Sequence, residues 1–181
     1  IHQEADRLVA LINDILRLSQ LDEGGALPHE QVSVLELTQE AARSLTAQAA
    51  AQAVHISVTG TAGTVFGVRR LLYEIARNLC ENAVKYNVPG GSVTVEVAET
   101  DRDVALLVRD TGIGIPEGDQ SRVFERFYRV DKSHSRAIGG TGLGLSIVKH
   151  AVAYHHGTLR LESQLGKGTV ITVTLPKKPT E

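Results

Sequence analysis

Apolar residues recur every seven positions along residues 1–22, and this spacing predicts a helix with a coiled-coil-like seam. The recurring residues are Ile1, Leu8 and Ile15, with Leu11 and Leu18 beside them. Residues 23–29 contain two glycines and a proline, which end the helix and predict a linker. We therefore expect the leading helix to pack on a partner helix that is missing or belongs to another chain. A core helix of the same domain is the alternative that the pattern leaves open.

Between residues 30 and 176 the pattern alternates between the periods of strands and helices, and residues 177–181 form a tail. Strands are predicted at residues 30–35, 54–58, 64–66, 92–99, 104–108, 158–163 and 169–175. Helices are predicted at residues 35–52, 68–86, 118–128 and 144–155. The last two strands are expected to form a hairpin. The composite is an α/β fold, a two-layer sandwich in which a mixed sheet of about five strands is covered on one face by three helices.

Composition narrows the function classes. The 181 residues carry a formal net charge of −2 and include three Phe, four Tyr and no Trp, so we expect no nucleic-acid binding. The single cysteine, Cys80, excludes an intrachain disulfide and is expected to be a small buried residue. No apolar run approaches the roughly 18 residues of a membrane span. Because the sequence begins at Ile1 and contains no Met, we expect a piece of a longer protein.

Glycines lie beside two features that favour ligand binding, namely the start of a predicted helix and an acidic residue just after a predicted strand. Residues 139–148 combine a glycine-rich loop with the start of an apolar helix, where unpaired N–H groups favour an anion such as phosphate. Taken alone, this stretch is equally compatible with an ordinary turn before a helix. Asp110 follows the central strand predicted at residues 104–108 and precedes a Gly-x-Gly sequence at residues 112–114. This placement suits an acceptor for a buried ligand amine, or an Asx turn.

A second polar stripe lies on the helix predicted at residues 68–86. Asn78 and Asn82 are four positions apart on one face, which continues to Lys85 or Tyr86. Asparagine is a poor helix former, so two of them on one face of an otherwise good helix call for a reason. The stripe predicts a binding face, with an ordinary solvated polar face as the alternative.

Four segments of the chain occur together in a characteristic order. They are residues 78–86 (Asn-Leu-Cys-Glu-Asn-Ala-Val-Lys-Tyr), 110–114 (Asp-Thr-Gly-Ile-Gly), 124–129 (Phe-Glu-Arg-Phe-Tyr-Arg) and 140–145 (Gly-Thr-Gly-Leu-Gly-Leu). In this order and at these spacings they resemble the N, G1, F and G2 boxes of bacterial sensor histidine kinases. Residues 166–169 resemble the terminal glycine box of the same family. Residues 127–132 are most similar to the phosphate-response, PhoR-like group.

The resemblance implies the Bergerat ATP-binding fold of the GHKL superfamily, with ATP and Mg²⁺ as the bound groups. Asn82 would ligate Mg²⁺, and Asn78, close by, would join it as a ligand and belong to the catalytic set. Lys85 would reach the phosphates, and Tyr86 would pack near the adenine or ribose. Asp110 would accept a hydrogen bond from the adenine amino group, which discriminates against guanine.

Further positions complete the implied site. Gly112 and Gly114 would let the backbone pass under the base, with Ile115 next to them. Arg129 is the second catalytic candidate and would stabilise charge on the transferred γ-phosphoryl group. Residues 129–142 would form a lid over the phosphates. The remaining nucleotide-binding residues would be Gly140, Thr141, Gly142, Leu143, Gly144 and Leu145.

The leading helix is similar to the second helix of the family's dimerisation and phosphotransfer domain. None of the seven histidines lies in the family's His-Glu-x-x-Arg-x-Pro context. The resemblance therefore implies a chain that binds ATP but does not autophosphorylate alone. It would transfer the γ-phosphoryl group to a His on a missing helix and thence to an Asp of a response regulator. Because the leading helix in isolation exposes an apolar seam, we expect either self-association as a homodimer through residues 1–21 or disorder of that segment. The resemblance also implies a cytoplasmic location within an inner-membrane-anchored sensor.

Two alternative functions stay open. A GHKL-type ATPase of the gyrase, Hsp90 or MutL kind uses a Glu general base four residues before the Mg²⁺-binding Asn. Here that position is Asn78, and Glu74 lies a turn further away. A dimerisation module with a degenerate pocket is the other alternative, and the intact Asn82, Asp110 and residues 140–144 argue against it.

Overall fold

The computed structural model describes residues 27–130 and 140–178, together with residues 5, 8, 9, 11–16 and 19 of the leading segment, which are helical. The strands after residue 27 are β1 (Glu30–Ser33), β2 (His55–Gly60), β3 (Thr64–Gly67), β4 (Ser92–Glu99), β5 (Asp103–Asp110), β6 (Thr158–Gln164) and β7 (Gly168–Pro176). The helices there are α1 (Val34–Ser44), α2 (Thr46–Ala51), α3 (Arg69–Lys85), α4 (Glu117–Gln120) and α5 (Gly144–Tyr154). In this described part of the chain, no helix combines the length and apolar character that crossing a membrane requires.

The main sheet has five strands in the order β2-β4-β5-β7-β6. Strand β2 pairs with β4 in parallel and all other neighbours are antiparallel, so the sheet is mixed. Alternate residues of the central strands enter the core: on β4, Val93, Val95 and Val97 are at most 1% exposed. Strands β6 and β7 form the predicted hairpin. The predicted mixed sheet is confirmed.

Helices α1, α3 and α5 pack together and share one hydrophobic core with this sheet. The apolar residues of α3 recur at three- and four-residue intervals, so that Leu72, Ile75 and Leu79 face the core. Cys80 is fully buried among them, and burial raises the pKa of its thiol to about 12. The expected small, buried cysteine is confirmed, and its thiol is unreactive at neutral pH.

The prediction of one helix over residues 35–52 is wrong in one respect, because the chain forms two helices there. Leu45 interrupts them with φ −101° and ψ 2°, and its N–H donates to the Ala42 carbonyl at 3.1 Å in a tighter turn. The interruption leaves Leu45 buried in the core. The strands predicted at residues 30–35 and 64–66 exist as β1 and β3, but they pair with each other in a separate two-stranded sheet.

The predicted helix at residues 118–128 is wrong beyond its first turn. Helix α4 ends at Gln120, and the chain continues in turns. Phe127 has φ +64°, in the left-handed region that a right-handed helix cannot use, and its N–H donates to the Gly142 carbonyl at 2.9 Å. The Tyr128 hydroxyl donates to the Asp119 carboxylate. These contacts outside the helix decide the conformation of the segment.

His155, at the end of α5, ties that helix to the start of α3. Its Nε2 accepts a hydrogen bond from the Val68 N–H at 3.0 Å, and its Nδ1 donates to the Ala151 carbonyl at 2.7 Å. This arrangement requires the neutral ring, because a protonated imidazole has no acceptor. Burial lowers the pKa of His155, the hydrogen bond to Ala151 opposes this, and the nearby His29 and His156 lower the pKa further.

The lowered pKa of His155 predicts a pH-dependent loss of stability. The folded state binds this proton less readily than the unfolded chain, whose histidines titrate near pH 6.5. The stabilising contribution of neutral His155 is therefore complete above about pH 6.5. It is lost as the pH falls through that value toward the lowered pKa of His155 in the folded state. His155→Phe keeps a ring but leaves the Val68 N–H unpaired, so it should cost about 1–3 kcal/mol at neutral pH and reduce the pH dependence.

Urea unfolding at neutral and mildly acidic pH measures both effects. The control is His55→Gln at an exposed position on β2, which should change neither quantity. A His155→Phe variant with the same pH dependence as the unsubstituted chain would contradict the assignment.

Candidate functional site

Asp110 ends β5 directly opposite Thr169 of β7. Its Oδ1 atom accepts hydrogen bonds from the backbone N–H groups of Gly112, at 2.8 Å, and Thr169, at 3.2 Å. The Asx turn considered from the sequence is therefore present at Oδ1. The other oxygen, Oδ2, receives no hydrogen bond from the residues that the structure describes. Burial raises the pKa of Asp110, and the two N–H groups oppose that shift. Because the two N–H groups hold Oδ1 in place, Oδ2 is oriented as an acceptor available to a ligand.

Residues 111–116, the first glycine loop, pass between the end of α3 and the β6–β7 hairpin. The Ile113 N–H donates to the Tyr86 carbonyl at 3.0 Å. A Cβ atom at Gly112 would lie 2.3 Å from that same carbonyl oxygen. Gly114 has φ +69°, and a Cβ there would lie 2.1 Å from the Gln164 carbonyl oxygen. Glycine at both positions is therefore a requirement of backbone packing.

Polar side chains of the hairpin and of helix α4 hold the far end of this loop. The Ile115 N–H donates to Ser163 Oγ at 2.8 Å, and Gln120 Nε2 donates to the Ile115 carbonyl at 3.0 Å. Ser163 Oγ also lies 2.8 Å from Thr169 Oγ1, its partner across the hairpin. Neither Ser163 nor Gln120 was predicted from the sequence as a site residue. The feature of the sequence that could have identified Ser163 is that it and Thr169 are hydroxyl residues at equal distances from the hairpin turn.

The polar face of α3 presents two amide side chains. Asn78 Nδ2 donates to the Glu74 carbonyl oxygen at 2.8 Å and to Glu74 Oε2 at 3.2 Å, while its Oδ1 faces Gly144, where a Cβ would lie 3.0 Å away. Asn82 is half-buried and makes no side-chain hydrogen bond within the described ranges. Amide oxygens of this kind fit the oxygen-ligand preference of Mg²⁺. Across the same ranges, His, Cys, Asp and Glu form no cluster of three or more suited to a metal.

Two positively charged side chains, Lys85 and Arg129, lie near the end of α3. Lys85 Nζ lies 5.7 Å from the centre of the Tyr86 ring, and a Cβ at Gly140 would lie only 2.6 Å from Lys85 Nζ. Burial lowers the pKa of Lys85, Glu81 opposes this, and the Arg129 guanidinium lowers the pKa further. Burial raises the pKa of Tyr86, against the opposing effect of Arg129. Two cations therefore lie near one phenol, an arrangement that a polyphosphate would stabilise.

Residues 140–143, the second glycine loop, lead into α5. Gly142 has φ +75°, and a Cβ there would lie 3.0 Å from the Phe127 backbone. The Leu143 N–H donates to Thr141 Oγ1 at 3.3 Å. Leu143 is fully buried, and Leu145 packs on the main core. The loop is thus fixed to the start of α5 on one side and to the Phe127 segment on the other.

The structure brings most of the predicted residues together. Tyr86 contacts the first glycine loop through its carbonyl and lies beside Gly140 of the second. Asn78 faces the start of α5, and Arg129 lies close enough to Lys85 to shift its pKa. Of the lid predicted at residues 129–142, residues 131–139 lie outside the described part. The ligand-binding roles of all these residues stay predictions.

Comparison with known proteins agrees with this architecture. The sequence model of the family described as "Histidine kinase-, DNA gyrase B-, and HSP90-like ATPase" matches residues 67–179. The sensor-like histidine kinase SenX3 of Mycolicibacterium smegmatis is 42% identical over 97% of this chain. The sensor histidine kinase WalK of Bacillus subtilis is 35% identical over the same share. The chain spans 46% of the length of SenX3 and 29% of that of WalK.

Solved structures share the fold. The mycobacterial sensor histidine kinase MprB superposes with a TM-score of 0.73 at 32% identity, over 84% of this chain and 100% of that one. Full-length ShkA, solved in complex with AMPPNP, gives a TM-score of 0.83 at 26% identity, over 98% of this chain and 37% of that one. These likenesses confirm the predicted Bergerat-type fold. The chain belongs to the histidine kinase-, DNA gyrase B- and HSP90-like ATPase family, as a catalytic domain of the sensor histidine kinase type.

Proposed function

We propose that this chain binds ATP, that Asp110 recognises the adenine, and that the bound nucleotide is the phosphoryl donor of a sensor histidine kinase. The observation that carries the proposal is the asymmetry of the Asp110 carboxylate. Two backbone N–H groups hold Oδ1, while Oδ2 has no hydrogen bond from the described part of the chain. A fixed acceptor of this kind suits the amino group of adenine, whereas guanine presents a carbonyl oxygen at that position and would leave the carboxylate unpaired.

The phosphate side of the site is assigned to the cations and to the start of α5. Lys85 and Arg129 would bind the phosphates, and Arg129 would offset the charge on the transferred group. Backbone N–H groups of the second glycine loop and of Gly144 would approach the same phosphates, as helix starts commonly do. The 2.6 Å that would separate a Cβ at Gly140 from Lys85 Nζ supports this assignment, because it means that the loop lies beside a cation.

Magnesium would be held by Asn82 and Asn78 through their amide oxygens. Asn82 fits because its half-buried side chain has no hydrogen bond within the described ranges. Asn78 fits because Glu74 engages its Nδ2, which leaves Oδ1 directed at the start of α5. When bound, the ion would neutralise phosphate charge and orient the nucleotide.

The group transfer would involve a His on a segment other than residues 30–176. An imidazole nitrogen would attack the γ-phosphorus, and a P–N bond would form as the bond to the β,γ-bridging oxygen breaks. ADP would leave with the bonding electron pair, and an Asp of a response regulator would then receive the phosphoryl group. The chain's own residues would bind and orient the donor for this attack.

The domain assignment belongs to the same proposal. Residues 1–22 would be the remnant of the second helix of a dimerisation and phosphotransfer domain, and residues 23–29 its linker to the catalytic domain at residues 30–176. Residues 177–181 would be the tail. A homodimer through residues 1–21, a cytoplasmic location with an inner-membrane anchor, and the PhoR-like subgroup stay predictions.

The adenine assignment predicts the behaviour of Asp110→Asn. Oriented with its Oδ1 toward Gly112 and Thr169, the new amide keeps both backbone hydrogen bonds but turns an NH₂ donor toward the ligand. We expect the affinity for a non-hydrolysable ATP analogue to fall by about 10- to 100-fold, because two donors then face each other. The preference over GTP should narrow, since guanine offers an acceptor at that place. Calorimetric titration with Mg²⁺ present measures both affinities.

The matched control for this titration is Asp103→Asn, at the other end of β5. It should leave both affinities unchanged. Equal ATP affinity in the unsubstituted chain and in Asp110→Asn would exclude Asp110 as the adenine acceptor.

The magnesium assignment predicts that Asn82→Ala reduces the contribution of Mg²⁺ to nucleotide affinity. The loss should be about tenfold, the scale of one lost polar contact of roughly 1.4 kcal/mol. Affinity measured in EDTA should be unchanged, because the substitution removes a metal ligand and no direct contact to the base. An equal loss with and without Mg²⁺ would argue instead for a direct contact or for a damaged fold.

The kinase assignment is tested with radiolabelled ATP and a separate helical hairpin that carries the phosphoacceptor His of a SenX3-type relative. We expect acid-labile label on the hairpin and none on this chain, and transfer by Asp110→Asn reduced by about 10- to 100-fold at limiting ATP, in line with its weaker affinity. Sustained multiple-turnover ATP hydrolysis by the chain alone, without transfer, would favour the ATPase alternative. Concentration-dependent self-association without nucleotide binding would favour the dimerisation module.

A further inference from the structure

Among the residues that the structure describes, the leading helix contacts the second glycine loop through Asp14. Thr141 Oγ1 donates a hydrogen bond to Asp14 Oδ2 at 2.6 Å, between residues 127 positions apart in the sequence. Asp14 and Leu11 are half-buried, and they lie three positions apart on one side of the helix. Apolar residues elsewhere on this helix are between 43% and 58% exposed, namely Leu8, Val9, Ile12, Ile15 and Leu16. The helix therefore approaches the loop through the side that carries Leu11 and Asp14.

The position of Thr141 gives this contact its significance. Its hydroxyl also accepts the Leu143 N–H, at 3.3 Å, so it organises the backbone just before α5. A Cβ atom added at its neighbour Gly140 would lie 2.6 Å from Lys85 Nζ, so this part of the loop lies beside the lysine. The Asp14 carboxylate thus lies at the loop to which the proposed function assigns the phosphates. A carboxylate of the leading helix therefore occupies a position next to the proposed binding site of the ATP phosphates.

We propose that Asp14 makes an autoinhibitory contact, in which docking of the leading helix on Thr141 competes with nucleotide binding. A carboxylate and a polyphosphate repel each other and would draw on the same hydroxyl and N–H donors. Nucleotide therefore binds tightly only when Asp14 has left the loop. This inference rests on the proposed function for the identity of the ligand, but the docking contact itself does not.

The competition works in both directions, because coupling between two binding events is reciprocal. Any rotation of the leading helix that withdraws Asp14 raises the apparent affinity for nucleotide. Nucleotide in turn releases the helix. The apparent dissociation constant is the intrinsic one divided by the undocked fraction, so a mostly docked helix weakens binding several-fold without any change in the contacts to ATP.

The first test is the affinity of the full 181-residue chain for a non-hydrolysable ATP analogue with Mg²⁺. Asp14→Ala should bind about three- to tenfold more tightly than the unsubstituted chain, as expected for removal of a competing docked state. Asp14→Asn keeps an acceptor for Thr141 but lacks the charge, and should fall between the two. The control Asn13→Ala, at an exposed neighbouring position on the same helix, should not change affinity. Unchanged or weaker binding by Asp14→Ala would overturn the proposal.

The second test follows docking without relying on a nucleotide effect. A cysteine introduced as Leu11→Cys reports on the docked side of the helix by its alkylation rate, since Cys80 is buried with its pKa raised to about 12 and reacts slowly. Adding Asp14→Ala should accelerate alkylation several-fold in the absence of nucleotide, and the ATP analogue should accelerate it in the Leu11→Cys chain. Equal rates with and without Asp14→Ala would show that Asp14 does not dock the helix.

The two tests separate this inference from the proposed function. If no variant binds nucleotide, the proposed function fails and autoinhibition fails with it, while the alkylation rates still decide whether Asp14 docks the helix. If all variants bind nucleotide equally, the proposed function stands and the autoinhibitory contact is refuted.

Discussion

The two backbone hydrogen bonds to Asp110 Oδ1 are the constraint on which the site depends. One comes from Gly112 and fixes the first glycine loop; the other comes from Thr169 and fixes the neighbouring strand β7. Together they orient a partly buried carboxylate so that its second oxygen is left for a ligand. Burial raises the pKa of Asp110, and the N–H groups help to keep the carboxylate ionised. The proposed recognition of adenine at this end of the site would therefore depend on the backbone of the sheet.

The proposed phosphate end of the site is formed by side chains and not by the backbone of the sheet. Its polar side chains come from one face of α3, whose opposite face is part of the core. Lys85 and Arg129 place two cations near each other, and Gly140 of the second glycine loop lies beside Lys85 Nζ, which a Cβ there would approach to 2.6 Å. Such an arrangement is stabilised by an anion, whether a phosphate group of the ligand or a carboxylate from the chain. The contact of Asp14 with Thr141 in the same loop is consistent with this chemistry.

The sequence predicted the sheet well because its signals are local. Alternating valines identify β4, and the apolar run at residues 104–108, which is followed by Arg109 and Asp110, identifies β5. The order of the four segments at residues 78–86, 110–114, 124–129 and 140–145 indicated the sensor histidine kinase family without any structural information. The interruption at Leu45 could not be predicted, because the alanine-rich pattern continues through it without a Gly or Pro.

The other predictions of secondary structure that were wrong involve contacts between residues that are distant in the sequence. Residues after Gln120 carry a helical pattern, but the bond from Phe127 to Gly142 holds Phe127 in the left-handed region. The pairing of β1 with β3 and the contact between Asp14 and Thr141 also join segments distant in the sequence. For the site, residue types and spacing predicted which side chains come together. They could not show which oxygen of Asp110 is left for a ligand, because that depends on Thr169 of another strand.

The most direct test of this account is a crystal structure of the chain with Mg²⁺ and a non-hydrolysable ATP analogue. The account predicts the adenine amino nitrogen at about 3 Å from Asp110 Oδ2, with Oδ1 still bonded to Gly112 and Thr169. Adenine bound away from Asp110, or a carboxylate rotated so that the backbone N–H groups lose their acceptor, would contradict it.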